Sequence, residues 1–487
     1  MKINLAKILH NKKIEYLLLL IIIIGSFGVR LWKIQNPIAD WHSWRQVDTA
    51  SVARIYVDEG IDLLRPRYYD ISSIQTGYIN EKGYRFVEFP LYNLVHTLAF
   101  EALPKIGFEV WGRLISVTSA IITLYLVYLI GKKAGGSMVG LGAAFFYGFL
   151  PFNIYFTRVI LPEPMATMFG VLGVWYFIQY FEKTRKLDLF LSSIAFSLGL
   201  LIKPYIIFYA LPIVYLYYKK HGIKNIFKNI PLLLALDIAL VPLFAWRAWM
   251  GQYEYFIGIP HLAWVYNGDG IRFRPAFWRW IFGERLGRLI LGTWGTVPFI
   301  FGLLFSDIKK KLSNIPLLML LGMLLYVVVV ATASVRHDYY QSVAIPAIAL
   351  VLGLGLKQML KSKTSGILFI FCTFMMLGMS FYMVRDNYQI NHYEFVEVGN
   401  IVDQSIAKDA RVIAPDNGNT VFLYYTKRFG WPVLEESIDD VITKKGADYF
   451  VSVNKNDTDT TNFKKRFETF KEGGNYIILD LHRPIKL

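Results

Sequence analysis

The sequence predicts an all-α polytopic membrane protein with about eleven transmembrane helices and a small α/β extracytoplasmic domain at its C-terminus. Composition supports this fold class, because 55% of the 487 residues are hydrophobic, 16% are aromatic and only 18% are charged. Apolar stretches of about twenty residues also recur along the chain between short polar segments, as expected of bilayer-spanning helices. A mean hydropathy of +0.39 is too high for a soluble protein of this length.

The predicted spans lie where the apolar stretches reach bilayer length. The first follows several lysines and looks like a signal peptide, but no small-residue cleavage site comes after it, so we predict a retained span. The fifth and sixth are short and meet at Lys203 and Pro204. The predicted spans are residues 14–33, 110–130, 138–156, 163–181, 188–202, 204–218, 230–250, 289–306, 315–333, 341–358 and 366–384.

Basic residues are distributed unevenly between alternate short loops. One set of loops, together with the N-terminal segment, carries nineteen Lys and Arg, whereas the opposite short loops carry only Arg158, Lys203 and Arg336. Because cytoplasmic loops are enriched in basic residues, we predict a cytoplasmic N-terminus and an extracytoplasmic C-terminus. This topology accounts for the net charge of +16 without a nucleic-acid partner. We expect a multi-pass protein of the plasma or inner membrane.

Two larger outer loops and a polar tail complete the predicted organisation. A transmembrane domain of residues 1–384 includes outer loops at about 34–109 and 251–288. Residues 385–487 form the predicted α/β domain, with strand-like runs at 411–414, 421–425, 449–453 and 476–481. Cys372 is the single cysteine, which excludes a disulfide framework and a cysteine metal site.

The first outer loop contains an acidic candidate close to its start. Residues 40–50 read DWHSWRQVDTA and continue into a helical pattern. An interfacial amphipathic helix would place Trp41 and Trp44 in the aromatic belt, but it does not require Asp48. The segment therefore supports either an interfacial helix or a catalytic carboxylate at Asp48. Asp40 and Arg45 are candidate substrate-binding residues in the same segment.

A second carboxylate of this loop, Glu88, precedes a helical apolar segment. The helix dipole favours a negative charge at a helix N-terminus, and this is the structural explanation. In the functional alternative, the carboxylate holds a catalytic loop or a substrate hydroxyl.

Each short outer turn carries a cation near the hydrocarbon. Arg158 and Glu163 lie between spans three and four, where the cost of an ionisable group favours function over a plain salt bridge between them. Lys203 either extends its ammonium to the lipid headgroups or holds a lipid phosphate. The same two alternatives apply to the turn between spans nine and ten, which contains Arg336, His337 and Tyr339.

Taken together, these outer charges suit transfer from a phosphate carrier. Cations stabilise a departing phosphate, and a carboxylate can accept the proton of an acceptor hydroxyl. A transporter or flippase for lipid-linked sugars predicts internal repeats and polar groups at mid-span, of which only Asp237 is an example. A non-catalytic receptor leaves the charges unexplained. No nucleotide-binding glycine loop or metal-ligand spacing is evident, so we predict no cofactor and leave a divalent metal open.

On these residues, the chain resembles the C-type glycosyltransferase superfamily, in particular the branch of protein O-mannosyltransferases and the lipid A aminoarabinose transferase. The resemblance covers nearly the whole chain: an acidic motif in a long first outer loop, a second after span three, and a small outer C-terminal domain. It implies an inverting glycosyltransferase that uses a polyprenyl-phosphate sugar donor and a lipid, glycan or protein acceptor on the outer or lumenal membrane face. An outer-face polysaccharide polymerase or ligase is the closest alternative.

The resemblance also implies roles for individual residues. Asp48 looks like the first-loop catalytic aspartate, and Glu88 looks like the acidic residue of the family's Phe-Glu-Lys-Pro-Pro-Leu-like segment. Phe89 replaces the family's phosphate-binding lysine, and Glu163 replaces its second-motif aspartate. Arg158 looks like the basic member of the second motif. The residues implied to contact the donor phosphate are Arg158, Lys203, Arg336, His337 and Tyr339.

The predicted topology can be tested with reporter fusions. We expect cytoplasmic signals after the basic loops and external signals at the opposite loops, because basic residues are retained on the cytoplasmic side. An external signal after Lys220 or a cytoplasmic C-terminus would contradict the predicted orientation. The cytoplasmic fusion points are Lys133, Lys186, Lys220, Lys311 and Lys363, and the external ones are Asn267 and the C-terminus.

Overall fold

The computed structural model describes residues 11–222, 228–254, 259–304 and 312–485. Most of these residues are helical, and a five-stranded sheet lies near the C-terminus. This architecture agrees with the predicted helical protein that ends in a small α/β region. Several basic positions of the topology prediction, namely Lys2, Lys7, Lys224 and residues 309–311, lie outside the described residues.

The helices are numbered here in chain order. They are α1 (Lys12–Arg30), α2 (Ser43–Glu59), α3 (Leu91–Ala102), α4 (Phe108–Gly135), α5 (Ser137–Phe149), α6 (Pro151–Phe156), α7 (Glu163–Lys183), α8 (Lys186–Ile202), α9 (Leu211–His221), α10 (Ile230–Met250), α11 (Ile259–Asn267), α12 (Pro275–Trp278), α13 (Thr296–Leu304), α14 (Ile315–Val329), α15 (Ala331–Arg336), α16 (Ile345–Met359), α17 (Lys363–Val384), α18 (Tyr393–Ser405), α19 (Val421–Thr426), α20 (Ile438–Lys445) and α21 (Thr458–Lys464). Tighter 3₁₀ segments occur at Pro104–Ile106, Pro204–Ala210, Gly268–Phe273, Asp338–Ala344 and Arg385–Tyr388, and a π-helical segment spans Arg279–Ile290.

The chain folds as two compact units. The helical unit comprises Met1–Ile34, Arg113–Trp249 and Gly258–Asn387. The sheet unit comprises Gln35–Gly112, Met250–Ile257 and Tyr388–Leu487. The first predicted outer loop and the C-terminal region therefore belong to one unit, although they are far apart in sequence. The predicted division at residue 385 stays a prediction.

Four helical segments of the described chain are long and apolar enough to cross a membrane: Phe108–Gly135, Ile230–Met250, Asp338–Met359 and Lys363–Ser405. Helices α5 and α14 are apolar but shorter. The helix ends differ from the predicted spans where proline intervenes. Pro151 separates α5 from α6, because proline lacks an amide hydrogen and keeps the preceding Leu150 extended. The predicted number of spans, about eleven, stays a prediction.

The sheet consists of β1 (Val412–Ile413), β2 (Gly430–Trp431), β3 (Tyr449–Ser452), β4 (Phe467–Glu472) and β5 (Ile477–Pro484). Their spatial order is β2-β1-β3-β5-β4. β1 pairs in parallel with β2 and β3, whereas β5 pairs antiparallel with β3 and β4. The core beside the sheet is apolar and includes Ile413, Trp431, Phe450, Ile477 and Leu479.

Three of the four predicted strands are confirmed, as β1, β3 and β5. The fourth prediction, a strand over residues 421–425, is wrong, because this stretch forms α19. Its valine and aromatic residues favour a strand, but a turn with positive φ at Asn417 and Gly418 precedes it. The Asn419 side chain then accepts a hydrogen bond from the Val421 amide, and the helix begins there. Two strands, β2 and β4, were not predicted.

A segment of the first predicted outer loop continues the sheet at its β2 edge. The Ile71 amide donates to the Gly430 carbonyl, and the Gly430 amide donates to the Tyr69 carbonyl, each over 3.0 Å. Asp70, between these two residues, is therefore a parallel neighbour of Gly430. This backbone pairing fixes the register of the loop against the C-terminal sheet.

Candidate functional site

Helices α7 and α8 bring an acidic and a basic candidate together in the helical unit. Glu163 is the first residue of α7, and Lys203 directly follows the last residue of α8. Because only Thr184 and Arg185 connect these helices, they run antiparallel, and the start of one lies beside the end of the other. Glu163 Oε1 lies 2.8 Å from Lys203 Nζ. The Tyr205 hydroxyl donates to the same oxygen over 3.2 Å.

This ion pair is buried within the protein. The side chains of Glu163 and Lys203 are 0% and 8% exposed. The Lys203 ammonium therefore does not extend to the lipid headgroups. The structural alternative, which predicted that it would, is wrong. Removing a charge from water costs several kcal/mol unless a partner compensates for it, and each residue supplies that partner for the other. The N-terminus of α7 adds a favourable dipole for the Glu163 carboxylate.

Aromatic rings connect this pair with the turn between α15 and the 3₁₀ segment that follows it. The Tyr205 ring lies 5.0 Å from the Tyr326 ring and 5.9 Å from the Tyr340 ring, centroid to centroid. In the same turn, the His337 ring stacks on Tyr339 with centroids 5.6 Å apart. The structure thus gathers the ion pair and the predicted phosphate-binding turn around one aromatic cluster.

The cations of this turn differ in their surroundings. Arg336 is exposed at the end of α15, and within the described ranges no carboxylate forms an ion pair with it. Arg285, which the sequence prediction did not single out, contacts Asp338 at 4.0 Å and donates to the Val335 carbonyl over 2.8 Å. A phosphate group could therefore reach Arg336 without displacing a protein carboxylate.

Arg158, the basic member of the second motif, is fully buried in the helical unit. Its Nη2 donates to the Lys33 carbonyl over 2.6 Å, just beyond the end of α1. Arg113 donates to the neighbouring Ile34 carbonyl over 2.7 Å. Both guanidinium groups thus hold the turn that follows the first helix. The predicted contact of Arg158 with phosphate stays a prediction.

In the sheet unit, Asp48 is the centre of a buried polar cluster. It lies on α2 and is 0% exposed. Arg85 Nη2 lies 3.0 Å from Oδ2, and Thr420 Oγ1 donates to Oδ1 over 2.7 Å. The Gln75 amide reaches Oδ2 over a longer 3.4 Å, and Arg85 in turn donates to the Gln75 side-chain oxygen over 2.9 Å. Both oxygens of the predicted base therefore have donors.

The other candidates of the first loop are also paired. Arg45, a candidate substrate-binding residue, forms an ion pair with Glu88, the second catalytic candidate. Asp40 Oδ1 accepts a hydrogen bond from the Gln46 amide over 2.6 Å. Arg45 and Gln46 are buried along with Asp48, so α2 is not an interfacial helix with a polar face in water. Its polar residues contact protein on several sides.

A further carboxylate, Asp70, lies in the same unit. Burial raises the pKa of Asp70 to about 6, against an ordinary value of 3.8. A hydrogen bond from the Ser72 amide over 2.8 Å opposes this rise in pKa, whereas the nearby Asp48 charge adds to it. Asp70 therefore keeps its proton to a higher pH than an exposed aspartate does.

The sequence indicates the candidate carboxylates but not most of their partners. Arg85 belongs to the segment that contains Glu88, and its position beside an acidic motif was the available signal. Thr420 lies 372 residues from Asp48, and an isolated threonine gives no such signal. Within the part of the chain that the structure describes, no three His, Cys, Asp or Glu side chains are grouped to hold a metal ion.

A protein-family model matches part of the chain. The family described as dolichyl-phosphate-mannose-protein mannosyltransferase matches residues 94–249, about a third of the chain. A direct search of curated protein sequences gave no match. The family match covers α4, α7 and α8, and it therefore includes Arg158, Glu163 and Lys203.

Solved structures match over nearly the whole chain. ArnT from Cupriavidus metallidurans bound to undecaprenyl phosphate matches with a TM-score of 0.68 and 10% identity, over 95% of this chain and 97% of that one. The archaeal oligosaccharyltransferase AglB from Archaeoglobus fulgidus, in complex with an inhibitory peptide and a dolichol-phosphate, matches with a TM-score of 0.60 and 9% identity. That match covers 96% of this chain and 74% of AglB. The chain therefore shares the fold of these two solved structures, which agrees with the resemblance to C-type glycosyltransferases seen in the sequence.

The raised pKa of Asp70 predicts how stability depends on pH. The folded state binds the Asp70 proton more tightly than the unfolded state does, so protonation of Asp70 stabilises the fold. This stabilisation is full below the ordinary pKa of 3.8 and is lost as the pH rises through about 6. The shift corresponds to a loss on the order of 3 kcal/mol. Asp70→Asn, which stays neutral, should gain stability relative to wild type as the pH rises from about 4 to about 7.

Thermal unfolding in detergent across this pH range provides the measurement. Asp62→Asn is the matched control, because Asp62 is an exposed carboxylate of the same loop that also accepts backbone hydrogen bonds. A constant difference between Asp70→Asn and wild type at all pH values would contradict the assigned pKa shift of Asp70.

Proposed function

We propose that this protein is an inverting glycosyltransferase that moves a sugar from a polyprenyl-phosphate carrier to an acceptor hydroxyl on the outer or lumenal face of the membrane. The carrier is undecaprenyl or dolichyl phosphate, and the acceptor is a lipid, a glycan or a protein. We further propose about eleven spans, a cytoplasmic N-terminus and an extracytoplasmic C-terminus in the plasma or inner membrane. No cofactor takes part, and a divalent metal is left open.

The observation that carries this proposal is the buried Glu163–Lys203 pair at the ends of two helices of a membrane fold. Ionisable groups are rarely placed at such positions unless they serve binding or chemistry. The fold adds support for the donor class, because the matched ArnT and AglB structures contain undecaprenyl phosphate and a dolichol-phosphate, respectively. A carrier of the same chemistry is the donor that we propose here.

In the proposed reaction, the acceptor oxygen attacks the anomeric carbon and forms the new glycosidic bond. The bond between that carbon and the phosphate oxygen breaks, and its electron pair leaves with the lipid phosphate. The acceptor proton passes to the Asp48 carboxylate. Attack opposite to the leaving group inverts the anomeric carbon.

The hydrogen bonds of Asp48 indicate how an acceptor reaches it. The contact between the Gln75 amide and Oδ2 is 3.4 Å long, near the limit of a useful hydrogen bond. An acceptor hydroxyl therefore replaces the Gln75 amide at Oδ2 more easily than it replaces Arg85 or Thr420. In this arrangement, Arg85 remains beside the carboxylate and compensates for its buried charge.

The donor phosphate is proposed to bind Arg336, with Lys203, Arg158, His337 and Tyr339 as further contacts. Arg336 is the exposed cation of its turn, and its guanidinium can form two parallel hydrogen bonds with phosphate. Lys203 has three donor hydrogens, so it can contact phosphate while it stays paired with Glu163. Both contacts stabilise the negative charge that develops as the carrier leaves.

The sequence also suggests two alternative functions. An outer-face polysaccharide polymerase or ligase would use the same donor chemistry and differs only in its acceptor. A transporter of lipid-linked sugars would need polar groups that line a cavity at mid-span. Asp237, the mid-span candidate, is exposed on α10 rather than buried against another helix, so this carboxylate does not support a transporter.

Arg336→Ala tests the donor site. We expect the apparent KM for the polyprenyl-phosphate sugar to rise about tenfold, because a charge-assisted contact is worth roughly 1.5 kcal/mol or more. Steady-state kinetics with a radiolabelled donor measure this change. Lys361→Ala is the control, because Lys361 is an exposed cation in a loop predicted to face the cytoplasm. Equal donor kinetics in both variants would argue against phosphate binding at Arg336.

Asp48→Asn tests the proposed base. Asparagine keeps the size of aspartate but cannot accept the proton, so the transfer rate should fall about a hundredfold to ten-thousandfold. Asp48→Asn should still bind the donor, and native mass spectrometry detects the donor-bound protein. Glu163→Gln tests the competing carboxylate, and Asp58→Asn is the control, because Asp58 is an exposed carboxylate on the same helix as Asp48.

The two carboxylate variants separate the possible outcomes. If Asp48→Asn keeps the wild-type rate while Glu163→Gln loses it, the base is Glu163. If both variants are fully active, the hypothesis that either carboxylate acts as the general base is wrong. Loss of transfer in Asp58→Asn as well would point to a general defect of α2 rather than to a missing base.

A further inference from the structure

Asp48 receives one of its hydrogen bonds from the C-terminal region of the chain. We propose that Thr420 is a positioning residue, and that the C-terminal part of the sheet unit acts in the reaction by fixing the orientation of the Asp48 carboxylate. This inference rests on the proposed function, because it assigns a role to Thr420 only if Asp48 is the base. It gives the C-terminal region a function beyond its own fold.

The geometry at the carboxylate divides its two oxygens between different partners. Oδ1 accepts from the Thr420 hydroxyl over 2.7 Å, whereas Oδ2 faces Arg85 and Gln75. Donors on both oxygens prevent rotation of the carboxylate about its terminal bond. Without the hydroxyl, Oδ1 has no donor, so the carboxylate can rotate and Oδ2, the oxygen that accepts the proton, is no longer kept in place. A base loses efficiency when it moves out of alignment with its proton donor.

The turn before Thr420 places its hydroxyl with little freedom. The Asp416 and Gly418 amides both donate to the Pro432 carbonyl, over 2.8 and 3.1 Å. Gly418 has a φ of +83°, and a Cβ atom at this position would lie 2.4 Å from Ile74 Cδ1. The turn is thus held on one side by the chain after β2 and on the other by the first predicted outer loop.

The helix after this turn is anchored to the beginning of the sheet unit. The Tyr424 hydroxyl donates to Glu109 over 2.9 Å, and Arg54 on α2 donates to the same carboxylate over 3.0 Å. The Tyr425 hydroxyl accepts from the Ile38 amide over 2.6 Å. Helix α19 is therefore fixed relative to α2, the helix that carries Asp48, at points beyond the Thr420 contact itself.

The C-terminal region also holds the loop that supplies Gln75 and Arg85. The backbone pairing at Gly430 fixes residues 69–71, and Glu435 accepts hydrogen bonds from the Ser73 amide and hydroxyl over 2.9 and 2.7 Å. Donors to both oxygens of Asp48 thus depend on the same C-terminal scaffold. Thr420 is the residue through which this scaffold contacts the carboxylate directly.

Thr420→Val separates positioning from packing, because valine keeps the shape of threonine but lacks the hydroxyl. We expect kcat to fall about tenfold with little change in the donor KM, since a hydrogen bond to a charged group is worth roughly 1.5 kcal/mol. Thr420→Ser, which restores the hydroxyl, should recover the rate.

Thr426→Val is the matched control. Thr426 is a buried threonine at the other end of α19, and its hydroxyl donates to the Leu423 carbonyl over 2.7 Å rather than to Asp48. This variant should keep the wild-type rate. If Thr420→Val does not fold, Thr420→Ala replaces it. In an Asp48→Asn background, removal of the Thr420 hydroxyl should cause no further loss of rate.

Each result supports or overturns the inference. A wild-type rate in Thr420→Val, with Asp48→Asn inactive, would overturn the role of Thr420 while the proposed base stands. An equal loss of rate in Thr426→Val would also overturn it, because the effect would then come from α19 in general. Full activity of Asp48→Asn would overturn the base assignment itself and the role of Thr420 with it.

Discussion

The cost of a buried charge constrains both units of this protein. Each buried candidate carboxylate has a polar partner: Glu163 pairs with Lys203, and Asp48 contacts Arg85 and Thr420. Removing one partner leaves an uncompensated charge in a medium that solvates it poorly, which typically costs about 3 to 5 kcal/mol. The helix ends, the turns and the loop pairing can all be understood as the means by which these partners reach each other.

The same constraint shapes parts of the helical unit for which we propose no chemistry. Arg30, at the end of α1, is fully buried and donates to Thr157, to Ser26 and to the Gly148 carbonyl over 2.6 to 2.9 Å. It thereby ties the first helix to the region around α5 and α6. A buried arginine of this kind stabilises packing, whereas exposed Arg336 has a guanidinium that a ligand can reach. Arg30 and Arg336 carry the same charge, and they differ in burial and in their protein partners.

The C-terminal region contributes to the surroundings of Asp48 although it lies at the far end of the chain. Strand pairing at Gly430 and the position of α19 hold loop and helix within one compact unit. This arrangement explains how a small sheet can matter for a carboxylate of the first predicted outer loop. It also places Asp70, whose pKa is raised to about 6 by burial, where its charge influences Asp48.

Hydropathy and local motifs determined the helical membrane fold, the small C-terminal sheet and the candidate carboxylates, because apolar runs and charges at helix ends are visible over short stretches of sequence. Only the tertiary structure decided that residues 421–425 form a helix, that Lys203 pairs with Glu163, and that Thr420 contacts Asp48. These features depend on contacts between distant segments. A threonine has no charge or periodicity that marks it, and a β-favouring stretch becomes helical when the turn before it and the surfaces around it require a helix.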